Sequence, residues 1–227
     1  MKIRVYDSYE KVSRAAADLI AAQLLLKPDS HLGLTAGSTP VGMFKELITL
    51  YKEGSVSFAD AWFYNLEEMV GFGPEDEGSC YKYLRDHLLD HVDAKLEHLR
   101  LPDGLAEDID NECEKYEALF NGLPEGRLDM QVLGLGTDAH IGMNKPDTEL
   151  LTECYHVNPG TSHSAVAMGM RSMLLAKRIV LIATGENKAQ AVAEMCSKKI
   201  TTQAPATFLQ LHPDVTIIVD KAAASKI

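Results

Sequence analysis

The sequence predicts a single-domain α/β fold spanning residues 1–227, with a mainly parallel sheet and helices on both faces. Three observations predict it. Strand-like and helix-like segments alternate from one end of the chain to the other, which is the pattern of a parallel sheet joined by crossover helices. The run Leu128–Leu135 carries Leu128, Met130, Val132, Leu133 and Leu135, as a buried central strand does. The chain has 227 residues, 46% of them hydrophobic and 24% charged, enough for one substantial core without a second domain. It shows no internal repeat and no low-complexity segment.

The elements follow in order. Lys2–Tyr6 reads as a strand, and a helix from about Ser8 to Leu26 carries Val12, Ala15, Ala16, Leu19, Ile20 and Leu24 at helical spacing before Pro28 ends it. His31–Thr35 is a short strand that closes on Ala36-Gly37-Ser38-Thr39-Pro40. Thr39 is the expected cap and Pro40 the first residue of a helix bearing Met43, Phe44, Leu47, Ile48 and Tyr51. A third strand, Ala61–Leu66, stops at Glu67-Glu68, and after a loop a helix is expected over Ser79–His91. Asp110–Phe120 is helical, Leu128–Leu135 is the central strand, and Arg178–Thr184 delivers Gly185-Glu186-Asn187 to a helix over Lys188–Cys196. Val215–Val219 is the last strand.

Charge and composition exclude several classes. With 33 acidic against 22 basic residues the net charge is −11, so there is no general attraction to nucleic acid or anionic lipid, and an anionic ligand must be held locally. Cys80, Cys113, Cys154 and Cys196 stand singly, without the C-x-x-C pairs of zinc or thiol redox sites, and read as reduced and structural. No apolar run reaches the roughly 20 residues of a membrane helix, and the first residues lack a signal-peptide core. A cytoplasmic location is expected.

In an open parallel sheet, ligands bind beyond the carboxyl ends of the strands. Four such places stand out. Ala36, Gly37, Ser38 and Thr39 form a candidate anion cradle, with amides, hydroxyls and a helix start favouring negative charge, although Gly-Ser-Thr-Pro also makes an efficient helix cap. Glu67 and Glu68 put two carboxylates after an apolar strand, where desolvation raises a carboxyl pKa toward the range of a general base. Asp138 and His140, two residues apart on a glycine-rich loop, suit a carboxylate orienting a proton-shuttling imidazole. Lys188 begins its helix within reach of an anion. The segment Gly134-Leu135-Gly136-Thr137-Asp138-Ala139 also fits the dinucleotide fingerprint G-x-G-x-x-A, but Gly142, Asn144 and Pro146 occupy the first turns of the helix that motif needs.

Taken together, Leu34-Thr35-Ala36-Gly37-Ser38-Thr39-Pro40, Tyr64-Asn65-Leu66-Glu67-Glu68, Leu135 through Pro146, Thr184-Gly185-Glu186-Asn187-Lys188-Ala189 and Pro205 through His212 resemble the successive motifs of the glucosamine-6-phosphate deaminase family, in order and spacing over nearly the whole chain. The resemblance implies a modified Rossmann-like fold and an aldose-ketose isomerase, deaminating in many members, acting on a hexosamine 6-phosphate such as glucosamine 6-phosphate or galactosamine 6-phosphate. It implies that Ala36–Thr39 and Lys188 hold the phosphate, that His140 oriented by Asp138 assists ring opening, and that Glu67 moves a proton between C2 and C1. No metal or organic cofactor is implied. The partner is a small sugar phosphate, with self-association into a homo-oligomer left open.

Three departures from the family pattern matter. Glu67 stands where the family base is usually aspartate. Asn144-Lys145-Pro146 replaces Asn-Glu-Pro, which makes Lys145 a candidate neighbour of the catalytic histidine and a cation that holds the imidazole neutral. The segment between Pro146 and Ala165 is short and lacks the phosphate-contacting arginine of typical deaminases, leaving Arg171 as the candidate substitute. Glu68 joins it as a candidate substrate contact. Two alternatives compete: a lactone hydrolase like 6-phosphogluconolactonase, whose Gly-x-Asp-Gly-His loop is similar but continues differently after the histidine, and a phosphosugar-binding regulator that has lost catalysis.

Overall fold

In the computed structural model, which describes residues 1–227, the chain runs through β1 (Lys2–Tyr6), α1 (Tyr9–Leu26), β2 (His31–Leu34), α2 (Val41–Lys52), β3 (Trp62–Asn65), β4 (Glu67–Met69), α3 (Cys80–His87), β5 (Leu99–Arg100) and α4 (Ile109–Asn121). It continues with β6 (Met130–Gly134), β7 (Tyr155–Val157), β8 (Ala165–Ala167), α5 (Met170–Leu174), β9 (Ile179–Ala183), α6 (Ala189–Met195) and β10 (Val215–Asp220). Seven strands form one sheet in the order β1-β10-β9-β6-β2-β3-β5, every pairing parallel. The expected central strand, β6, stands fourth of the seven. From β2 the chain steps outward through β3 to β5, and from β6 it steps the other way through β9 to β10. The sheet therefore reverses direction between β2 and β6, and a crevice opens there at their carboxyl ends.

Strand alternation sends successive side chains to opposite faces and so builds two cores on one sheet. Met130, Val132, Val180, Ile182 and Ile218 meet α1, α2 and α3 on one side through Ile20, Leu24, Phe44, Leu47 and Leu84. On the other side Leu133, Leu181, Ile217 and Val219 meet α4, α5 and α6 through Tyr116, Phe120, Met173, Val192 and Met195. Each fully buried large aliphatic or aromatic side chain of this kind stabilises the fold by about 1.5–3 kcal/mol. Helix α1 starts where Ser8 accepts a hydrogen bond from the Lys11 amide, as a capping serine does.

Three local expectations are corrected. Thr39 does not cap α2: Pro40 occupies that position and no side chain bonds the helix start, which leaves the Thr39 hydroxyl uncommitted. The helix expected over 79–91 ends at His87, because Leu88 leaves helical geometry (φ −145°, ψ −62°), and 89–91 form a separate short turn. Glu67 and Glu68 do not lie in a loop. They form β4, which pairs antiparallel with β8, itself paired antiparallel with β7, in a second, three-stranded sheet. That small sheet, with β5 and α5, was not anticipated from the sequence, since three-residue strands such as Ala165–Ala167 are too short to display a period.

Candidate active site

The crevice between β2 and β6 is a cleft of about 320 Å³. Thr35 to Pro40 line it from the end of β2, Gly134 to Thr137 with His140, Gly142 and Met143 from the end of β6, Lys188 from the turn after β9, and Glu67 from β4. Three strand ends of the large sheet and one strand of the small sheet thus converge on one space.

The loop after β2 is arranged to receive an anion. Gly37 adopts φ +120°, a conformation that side-chain-bearing residues rarely take. The N–H groups of Ala36, Gly37, Ser38 and Thr39 donate to no other group of the protein. Their carbonyls are held from behind, Gly37 by the Tyr83 hydroxyl and Thr39 by the Tyr9 hydroxyl. Lys188 faces the same space and makes no ion pair. Burial pulls its ammonium pKa down, opposed by the Asp138 carboxylate, so the lysine has an unsatisfied demand for a negative partner.

On the loop after β6, His140 Nδ1 lies 2.5 Å from Asp138 Oδ1, and the same oxygen accepts the His140 backbone N–H at 3.2 Å. Burial pushes the Asp138 carboxyl up, but the backbone and ring of His140 outweigh it and hold the carboxyl below its ordinary value. A carboxylate on Nδ1 leaves Nε2 as the nitrogen available for chemistry. The ring packs directly over Gly136, where a methyl group would fall 2.1 Å from Nδ1, so only glycine permits this pose.

Glu67 has the most perturbed carboxyl in the cleft. Its Oε2 is buried without a hydrogen-bond partner, and burial followed by repulsion from Glu68 raises its pKa to about 7. A methyl on Gly142 would stand 3.8 Å from that oxygen, which places the carboxyl against the His140 loop. A group that is half ionised near neutrality and has no internal partner is suited to take and return a proton.

The other expected site residues lie elsewhere. Asp138 acts on the cleft only through His140 and does not line it. Glu68, one residue from Glu67, points to the opposite face of β4 and is 3% exposed. Its carboxylate is occupied by the amides of Met69, Cys80 and Tyr81 and the Ser79 hydroxyl, at 2.8 to 3.1 Å, so it caps α3 and has no room for a substrate. Lys145 is exposed and lines a neighbouring cleft that meets the first only at Met143, because Asn144 is anchored inward on the carbonyls of Ile141 and Met168 and turns the next side chain away. Arg171 sits on α5, 3.7 Å from Glu117, and takes no part in the cleft. Gly142, Met143, Tyr9 and Tyr83 were missed, the last two because they come from helices rather than strand ends. No group of three His, Cys, Asp or Glu side chains is placed to hold a metal ion.

Comparison with known proteins covers nearly the whole chain. The family model described as glucosamine-6-phosphate isomerases/6-phosphogluconolactonase matches residues 7–218. The glucosamine-6-phosphate deaminase of Thermoanaerobacter pseudethanolicus is 39% identical over 243 aligned positions, covering 100% of this chain and 95% of that protein. That of Clostridium botulinum strain Loch Maree is 40% identical over 100% of this chain and 99% of its own. Among solved structures, a monomeric glucosamine-6-phosphate deaminase superposes with a TM-score of 0.94 at 34% identity, covering 100% of both chains. The 6-phosphogluconolactonase of Trypanosoma cruzi, at 22% identity and a TM-score of 0.80, shares the fold. No helix of this chain is long and apolar enough to cross a membrane.

Proposed function

The chain belongs to the family of glucosamine-6-phosphate isomerases and 6-phosphogluconolactonases, and from that premise we propose that it is an amino-sugar-phosphate isomerase that deaminates glucosamine 6-phosphate or a close epimer. The observation that carries this reading is one carboxyl with a buried, unpartnered oxygen and a pKa of about 7 in the same cleft as four unpartnered amides and an unpaired lysine. An anion seat and a general base within one sugar-sized space is what isomerising a phosphorylated sugar requires.

In this reading the phosphate rests on the Ser38 and Thr39 amides and hydroxyls, with Lys188 as counter-charge. His140, oriented by Asp138, moves the proton between the anomeric hydroxyl and the ring oxygen, and the ring opens to the aldehyde. Glu67 as carboxylate removes the proton from C2, the C1=C2 bond of an enolamine forms as the carbonyl oxygen takes up a proton, and Glu67 then returns its proton to C1 while the C2 nitrogen gives one up. The product has an alcohol at C1 and an imine at C2. Water adds to the imine carbon and ammonia leaves, giving the ketose phosphate. Every group invoked comes from one chain, so the reading requires no second subunit, and a cytoplasmic location fits it.

The test is to offer purified protein glucosamine 6-phosphate and galactosamine 6-phosphate while measuring ammonia and ketose phosphate. Both products, absent from a His140→Ala control, are expected. Hydrolysis of 6-phosphogluconolactone without ammonia release would assign the lactonase activity instead, and thermal stabilisation by the sugar phosphate without turnover would make the chain a binding protein.

A further inference from the structure

The anion loop owes its shape to two tyrosines outside the cleft. Tyr83, on α3, donates its hydroxyl to the Gly37 carbonyl at 2.5 Å. Tyr9, the first residue of α1, donates to the Thr39 carbonyl at 3.1 Å, lies 3.5 Å from the Ser38 carbonyl, and accepts the Gly42 N–H at 2.7 Å. A peptide unit is planar and trans, so its C=O and N–H point in opposite directions. A hydroxyl that holds the Gly37 carbonyl from behind therefore turns the Ser38 N–H forward, into the cleft that Ser38 lines. The same geometry links the Ser38 carbonyl to the Thr39 N–H. Gly37, with φ +120° and open space where a side chain would stand, has the freedom to let that peptide flip.

We propose that Tyr83 and Tyr9 are positioning residues for the substrate anion, fixing the Gly37–Ser38 and Ser38–Thr39 peptide planes so that both N–H groups face the cleft. The proposal rests on the phosphate-seat reading above. Both tyrosine rings are packed against neighbours. The Tyr83 ring stacks on His87 at 4.2 Å and meets Phe44 edge-on at 6.3 Å. The Tyr9 ring lies so close to Gly42 that a methyl there would approach within 2.8 Å. Burial pushes the Tyr83 hydroxyl up to about 12, so it stays a donor across the working pH range. Donation to a carbonyl also polarises the N–H of the same peptide and strengthens its bond to an anion.

The experiment compares the wild-type chain with Tyr83→Phe and Tyr9→Phe, measuring inorganic phosphate binding by calorimetry and steady-state kinetics on glucosamine 6-phosphate. Loss of one hydroxyl that orders the loop should raise the phosphate Kd and the KM together by roughly tenfold in Tyr83→Phe and less in Tyr9→Phe. The kcat should stay within about twofold, with an unmoved pH profile, because the proton-transfer groups are untouched. Unchanged phosphate affinity in both variants while the wild type binds phosphate would overturn the proposal, as would a fall in kcat at constant KM. Should Tyr83→Phe melt early, Tyr9→Phe carries the same test from the other end of the loop. Lys188→Ala separates the two levels: if it leaves phosphate affinity unchanged, the seat is elsewhere and the underlying reading fails first.

Discussion

In the seven-stranded sheet the candidate groups stand on loops after the strands, whereas in the three-stranded sheet Glu67 stands within a strand. The difference is one of solvation. The loops after β2, β6 and β9 present amides, hydroxyls, an imidazole and an ammonium that water can satisfy until a ligand arrives. β4 instead presents a carboxyl that pairing with β8 holds in a dry place, Glu67 opposite Ala167. In the proposed reading the large sheet supplies the anion seat and the ring-opening imidazole, and the small sheet supplies only the carboxyl that moves the proton on carbon. Within β4 the contrast repeats between neighbours, since Glu68 is buried and saturated by four donors while Glu67 is half-buried with an Oε2 that is sealed from water and has no donor.

The strongest attempt to break this contrast is Glu67→Gln, which keeps the shape and removes the base. Turnover should fall by about a thousandfold while phosphate binding stays near wild type. A comparable loss of phosphate affinity would show that the two sheets do not divide the work. The same variant should gain stability with a definite pH dependence. The folded pKa of Glu67, about 7, lies above its ordinary 4.5, so the folded protein holds this proton more tightly than the unfolded chain does. Stability from this group is full below pH 4.5, is lost as pH rises through about 7, and is absent above it, a deficit of about 3 kcal/mol at 1.36 kcal/mol per unit. Denaturant unfolding should find Glu67→Gln more stable than wild type at pH 8 and no more stable at pH 4.

On the large sheet the matching test is Gly136→Ala. Its methyl collides with the His140 ring, and moving the imidazole should cost about a hundredfold in kcat/KM with little change in phosphate affinity. This part of the molecule was legible in the sequence, because Leu128–Leu135 announces a buried strand and whatever follows such a strand in a parallel sheet faces the ligand. The anion loop, His140 with its Asp138, and Lys188 were read in the same way. What could not be read is what depends on direction rather than on position. Glu67 and Glu68 are indistinguishable as a doublet, and only the pairing of β4 with β8, set by strands of three residues, turns one to the cleft and the other to the start of α3. Lys145 and Arg171 were misplaced for the same reason. The sequence puts them beside cleft residues, and the local turn at Asn144 and the Arg171–Glu117 contact aim them away.

The smallest expected effect sharpens the contrast most. Glu68→Gln replaces one carboxylate oxygen by a donor, so it loses up to two of the four bonds that the carboxylate accepts and should cost about 2 kcal/mol of stability. It also removes the negative charge that, after burial, raises the Glu67 pKa. The acid limb of the kcat/KM profile, expected near pH 7 in the wild type because the base must be ionised, should therefore move to lower pH by a fraction of a unit, leaving the rate on the plateau within about twofold. A burial-only origin for the raised pKa predicts no movement. An upward movement would run against any effect of this charge, since replacing a nearby carboxylate by a neutral amide cannot by itself disfavour ionisation of Glu67.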